Sequence, residues 1–290
     1  MLMMKTRHAD RNQTLFDPVV TSRIEKNGPF FTGLHMLAES EDNLYLPEEP
    51  AIFANIAEHE VALYEPRGWI CGAIELRKGR GRRINLSKIR KPWKVPAYVE
   101  PDALSFSGCS ASGVLLVQND SIFMRLFSRK VAQKLNLVIV TGCGVPRMGV
   151  RRLLYRLCNE LSLPVFVLVD SSTWGYFVFS LLKRGAIAPH SRFEYASIGD
   201  LRFLGLRAGN IAGLPSGALP LRAWKSGWDL RLRCMMQYPC FRKLSWQREL
   251  AAFLKQHGSV TLAGIYDHVG DDEFIRAFLE TPIRSLQWLT

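Results

Sequence analysis

The chain has 290 residues, 48% hydrophobic and 22% charged, a composition that suits a folded globular protein with a sizeable core and excludes a disordered or fibrous one. Thirty-eight basic residues against twenty-six acidic give +12 and a pI near 9.6, which favours polyanionic partners such as nucleic acid or an anionic surface. No uncharged apolar run reaches the roughly eighteen residues of a membrane span, and the opening MLMMKTRHADRNQ lacks the apolar core of a secretory signal.

Residues 1–50 are irregular, with turn signals at Asp17-Pro18 and Asn27-Gly28-Pro29. Between 48 and 66, Ile52, Ile56, His59 and Leu63 recur at helical spacing and predict a helix. RGWICGAIEL (67–76) is strand-like. Residues 77–94, RKGRGRRINLSKIRKPWK, hold nine basic side chains and no acid; their glycines and the Lys91-Pro92 step predict a loop or linker. Two readings of that run stand side by side. It is either a solvated charge run or a strip that contacts phosphates, gaining affinity by counterion release without reading sequence.

From residue 113 strands and helices alternate. GVLLVQ (113–118), LVIVTG (137–142), PVFVLVD (164–170) and RFLGLR (202–207) read as buried strands. SIFMRLFSRKVAQKL (121–135), RMGVRRLLYRLCNEL (147–161) and WGYFVFSLLKRG (174–185) read as the helices between them. This alternation predicts an α/β fold with a parallel sheet, and ligands on such sheets collect beyond the carboxyl ends of the strands. Those ends are Gln118-Asn119-Asp120, Thr141-Gly142-Cys143-Gly144 and Asp170-Ser171-Ser172. Residues 208–290 read as loops and helices, including 245–258 with its Ser start and Gly stop.

Several chemistries are excluded by pattern. TGCGVP lacks the spacing of a Walker or dinucleotide loop, and no HExxH, Cys/His cluster or GxSxG elbow occurs. The six cysteines (71, 109, 143, 158, 234 and 240) include no CxxC pair and are expected to be reduced thiols in a reducing compartment. By itself Asp170 reads as a cap for the following helix, a role that Ser171 or Ser172 fills equally well.

Taken together, LLVQNDSIFMRL (115–126), LVIVTGCGVPRMGVRRLLYRLCNELSLPVFVLVDSSTWGYFVFSLLKRG (137–185) and DLRFLGLRAGNI (200–211) resemble the A-type chain of DNA topoisomerase VI and its relatives, the meiotic double-strand-break transesterases. GWICG (68–72), INLSK, VPAYVEPDALSF and MMQYPCFRKLSWQREL add to the resemblance, which runs collinearly over roughly residues 57–260. It implies a Toprim fold, a parallel sheet flanked by helices, over residues 96–290 with a C-terminal helical extension. Residues 1–95 are then a truncated winged-helix remnant and basic linker. It also implies a homodimeric DNA transesterase, intracellular in a nucleoid or nucleus, with an ATPase B-type partner and no membrane. In this family a winged-helix tyrosine attacks the DNA phosphodiester, and a glutamate with a D-x-D pair holds Mg2+ beside the scissile phosphate. The dication neutralises developing phosphoryl charge and wants anionic oxygens as anchors.

Carried onto this chain, the metal positions read Gln118, Asp170 and Ser172, so that an amide and a hydroxyl replace two of three carboxylates. The family's Gly-Lys-Gly loop has become Gly142-Cys143-Gly144. Where the nucleophile is expected, residues 9–18 contain no tyrosine, and Tyr45 and Tyr64 lie outside the family context, so no catalytic residue is assigned. Either the winged-helix module is truncated or the natural start lies upstream of Met1. Duplex DNA is then expected to be held by Arg80, Arg82, Arg83 and Lys88 in the basic run and by Arg147, Arg151 and Arg152 on a helix, with cleavage weakened or lost. Two alternatives are an active Mg2+-dependent breaking enzyme with its tyrosine supplied elsewhere, and an interaction protein that has lost DNA altogether.

Overall fold

A computed structural model describes residues 66–184, 197–212, 221–224 and 228–290. The helix expected over 48–66 and the winged-helix remnant fall almost wholly outside these residues.

The main sheet has six strands. Four of them, β6 (Gly113–Val117), β7 (Leu137–Thr141), β8 (Val165–Leu168) and β9 (Leu201–Gly205), are mutually parallel. β1 (Trp69–Gly72) runs antiparallel beside β7, with β4 (Trp93–Lys94) outside it, giving the order β4-β1-β7-β6-β8-β9. The parallel strands are apolar at almost every position because both faces are covered. Their alternation divides two cores. Val114, Leu116, Val138, Val140, Val165 and Val167 face one, and Leu115, Val117, Ile139, Phe166 and Leu168 face the other.

The first core is closed by α3 (Met148–Glu160), α4 (Thr173–Arg184), α6 (Trp228–Met235) and α7 (Leu244–Gln256). Tyr176, Phe179, Phe203 and Phe241 meet around Trp246 there, with ring centroids 4.7 to 6.4 Å from it. The second core is closed by α1 (Asp120–Ser128), α2 (Val131–Lys134), α8 (Leu262–Val269) and α9 (Asp271–Ile275). A single helix was expected over 121–135; the chain instead breaks at Lys130, whose φ of 54° lets Val131 and Ala132 turn inward. α5 (Ala208–Ala212) and α10 (Thr281–Arg284) complete the described α-helices. At the sheet's outer edge, Phe203 and Leu289 exchange backbone hydrogen bonds of 2.8 and 3.1 Å, so residues near 289 cover the open side of β9.

The expected loop or linker over 77–94 is in part strand, at 77–78, 83–85 and 93–94, with turns and irregular chain between. β2 (Ile74–Lys78), β3 (Arg83–Asn85) and β5 (Leu104–Cys109) make a second, antiparallel sheet, and β4 adds an edge to the large one. Within the charge run Leu86 is buried and joins Ile74, Leu76 and Leu104 in the first core, while the nine cations are exposed. Strands β1 and β4 thus lie within the main sheet although they precede residue 96. A short pair, β10 (Arg222–Ala223) and β11 (Gly258–Ser259), completes the described strands.

Candidate functional site at the strand tips

The parallel register sets Val117 beside Leu168, so the residues that follow β6 and β8 emerge together. The sequence-predicted positions Gln118 and Asp170 meet: Gln118 Oε1 accepts the backbone N–H of Asp170 at 3.0 Å. Gln118 is 6% exposed, and its carbonyl also accepts Gly144 N–H at 2.8 Å, which ties the loop after β7 to the same tip.

Asp170 is half-buried, and its Oδ1 accepts the backbone N–H of Leu262 at 2.7 Å. Leu262 is the first residue of α8, whose N-cap Thr261 accepts Gly264 N–H at 3.1 Å through its own hydroxyl. Asp170 therefore does cap a helix, but one 92 residues away rather than the next one. The placement is favourable because a helix N-terminus presents unsatisfied N–H groups and partial positive charge. Burial pushes the Asp170 carboxyl above its ordinary value, while the Leu262 N–H and the Arg222 charge pull it back down.

Ser172 caps the next helix instead. Its Oγ accepts Gly175 N–H at 3.0 Å, and α4 begins at Thr173. Gly175 is required there, since a Cβ would stand 2.2 Å from the Asp170 carbonyl oxygen. Ser171 exchanges two 3.0 Å backbone hydrogen bonds with Val260, extending the β10–β11 pair onto the tip. Asn119 caps α1, taking Ser121 N–H at 2.8 Å.

Beneath the tips, Tyr176 Oη donates to Glu249 Oε1 at 2.9 Å, and Ala208 N–H donates to the same oxygen at 2.7 Å. Arg207 pairs with Glu249 Oε2 at 3.5 Å. Burial, then the Glu249 charge, holds the Tyr176 phenol well above its ordinary value. This tyrosine, the nearest in sequence to Asp170, is a buried donor and not a nucleophile facing solvent.

The donor set does not fit a hard dication. Of the three carried-over positions only Asp170 is a carboxylate, with Oδ1 on α8; the Gln118 oxygen holds a backbone N–H, the Ser172 oxygen holds another, and Asp120, also at the β6 tip, is exposed and accepts Ser121 N–H at 3.0 Å. Neutral dipoles leave most of the dehydration cost of Mg2+ uncompensated. Among the described residues no three His, Cys, Asp or Glu side chains converge as a metal site.

The cationic positions divide into two groups. Arg80, Arg82, Arg83 and Lys88 are exposed on and beside the β2–β3 hairpin. Arg147 and Arg151 are 8% and 5% exposed, and Arg151 Nε donates to the Pro146 carbonyl at 2.7 Å. Arg152 grips Glu100 through two hydrogen bonds of 2.7 and 2.8 Å. The helix trio is thus drawn into the protein, whereas the hairpin group faces water.

This arrangement has relatives. Residues 113–279 match the Toprim-domain family of the topoisomerase 6 A-type chain and Spo11. The chain belongs to this family. The mostly parallel sheet flanked by helices is a Toprim fold. The chain is similar to the A-type chain of type 2 DNA topoisomerase 6 from Saccharolobus shibatae, 26% identical over 73% of this chain and 56% of that protein. To the Pyrococcus horikoshii protein of the same name it is 28% identical, over 75% of this chain and 59% of that one. To Meiotic recombination protein SPO11-1 of Oryza sativa subsp. indica it is 26% identical, over 48% and 36%. The chain thus spans a little over half the length of the topoisomerase chains it matches.

Sequence reasoning missed the α8 N-terminus as the partner of Asp170, and it missed Arg222 and the Tyr176–Glu249–Arg207 network. Thr261 before an apolar run and Gly270 after it does mark α8 as a helix. Nothing local shows that Asp170 reaches it.

Proposed function

We propose that this Toprim-family chain binds duplex DNA and does not by itself cut it efficiently. The observation that carries the reading is the commitment of all three family metal positions to backbone N–H groups: Gln118 to Asp170, Asp170 to Leu262, and Ser172 to Gly175. Each of these oxygens already accepts an N–H and offers a cation only its remaining lone pairs, and two of the three are neutral, so their pull on Mg2+ is weak. Binding is supported by the basic excess and by nine exposed cations over 77–94 with no ion-pair partner among the described residues. Such cations hold phosphates by releasing counterions. A homodimer and an ATPase partner accompany this reading on the family resemblance alone.

The test uses the purified full chain and labelled duplex. Binding that weakens steeply with salt, with no protein-linked breaks after denaturant trapping in Mg2+ or Mn2+, is the expected result. Protein-linked breaks in Mn2+ would overturn the loss of cleavage, and absence of any duplex binding would overturn the rest.

A further inference from the structure

The tip of the β2–β3 hairpin reads Gly79-Arg80-Gly81-Arg82, followed at once by Arg83. A tight turn closes it, with Gly81 N–H donating to the Lys78 carbonyl at 2.9 Å and Gly79 at a φ of +52°. A Cβ on Gly79 would meet nothing within 4 Å, and one on Gly81 would meet only the Lys78 carbonyl oxygen. Arginine and glycine therefore alternate on a tip with no bulk besides its guanidinium side chains. Arg77 braces the turn through Nε to the Gly79 carbonyl at 3.2 Å.

The register places Arg77 directly opposite Arg83, and both are exposed. Like charges facing each other across a strand pair destabilise it, and no acid of the described residues pairs with either. The nearest carboxylate on β2, Glu75, is held by Asn85 Nδ2 at 2.9 Å. The facing charges themselves oppose the pairing. A dense anion would relieve that repulsion.

Resting on the duplex-binding reading, we infer that this hairpin tip enters the DNA minor groove and prefers A·T-rich sequence, with Arg80 and Arg82 as the inserted side chains. The minor groove is only about 6 Å wide, too narrow for a ribbon with bulky neighbours but open to single arginines on a glycine-spaced tip. In A-tracts it narrows further and its negative potential rises, which draws planar, weakly hydrated guanidinium groups more than ammonium groups. In G·C pairs the guanine amino group stands in the groove floor and obstructs the same approach. Arg83 and Lys88 beside the tip are then placed for the phosphates of the groove walls.

Three duplexes of equal length decide the matter by fluorescence anisotropy on the full chain at one salt concentration: A·T-rich, G·C-rich, and the G·C duplex with inosine in place of guanine. Inosine removes the minor-groove amino group and leaves the major-groove edge unchanged. The expected result is that A·T and I·C duplexes bind alike, about tenfold tighter than G·C, a ratio of the order that one good base contact supports. The double variant Arg80→Lys with Arg82→Lys keeps the charge, and it is expected to keep G·C affinity while the ratio falls to about one. If I·C tracks G·C, or no ratio exists while salt-dependent binding persists, the groove inference fails and the DNA reading stands. If none of the three duplexes binds, both fail.

Discussion

The strand tips and the basic hairpin are built on opposite principles. At the tips every polar side chain in the family's metal positions turns inward, Gln118 to a neighbouring strand and Asp170 and Ser172 to helix ends. On the hairpin the cations turn outward, and Arg77 and Arg83 face each other without a balancing acid among the described residues. The tip oxygens each hold an N–H and carry little net charge with which to attract a cation. The hairpin presents unbalanced charge directly to an anion.

That contrast can be broken most forcefully by rebuilding the tips. Gln118→Glu with Ser172→Asp adds two carboxylates beside Asp170, three in all, so without metal the double variant is expected to lose about 3 kcal/mol from like charges at a part-buried site. It should then recover on adding Mg2+, by about 2.7 kcal/mol at a hundredfold excess over Kd. Thermal scans with and without the ion check both changes; a wild-type chain that gains as much from Mg2+ would erase the distinction. On the hairpin, Arg83→Ala with Lys88→Ala should lower the slope of log affinity against log salt by about 1.8, roughly 0.9 for each phosphate contact. Arg152→Ala, which breaks the Glu100 pair, should leave that slope unchanged.

Smaller effects sharpen the role of Asp170. Asp170→Ala removes the α8 cap and should cost about 1 kcal/mol in denaturant unfolding, whereas Asp170→Asn keeps an acceptor for Leu262 N–H and should cost less. Because burial raises this carboxyl's pKa in the folded state, folding favours its protonated form. Its contribution is therefore full at pH below the ordinary carboxylate range and is lost as pH rises through the raised value. Asp170→Asn escapes that loss, so its stability relative to wild type should improve from acid to neutral pH. Smallest of all is a labelling contrast. Exposed Cys109, on the small sheet, should alkylate readily at neutral pH, while Cys71, inside the large sheet with its thiol pushed up to about 12 by burial, should not react until the protein unfolds.

Much of the fold could be read from the sequence because the parallel strands are buried on both faces, and continuous runs such as LVIVT admit few other placements. The meeting of Gln118 and Asp170 at the tips follows from that topology and the resemblance. The hairpin was misread as a loop because its charge run overlies a sparse buried face, Leu76, Ile84 and Leu86, interrupted by glycines that belong to a turn. The fate of Asp170 could not be read, since its partner is a backbone N–H far along the chain and any residue but proline supplies one. Arg151 finds a nearby carbonyl, that of Pro146, as its sequence neighbourhood allows, whereas Arg152 looked exposed and its partner Glu100 comes from a turn that periodicity does not place.

The most direct test of the account is calorimetric titration of the wild-type full chain with Mn2+, beside Asp170→Asn and the rebuilt Gln118→Glu, Ser172→Asp variant. Saturable binding by the rebuilt variant alone is the predicted result. Saturable binding by the wild type that Asp170→Asn abolishes would show that the strand tips still hold a dication, and the account would be wrong.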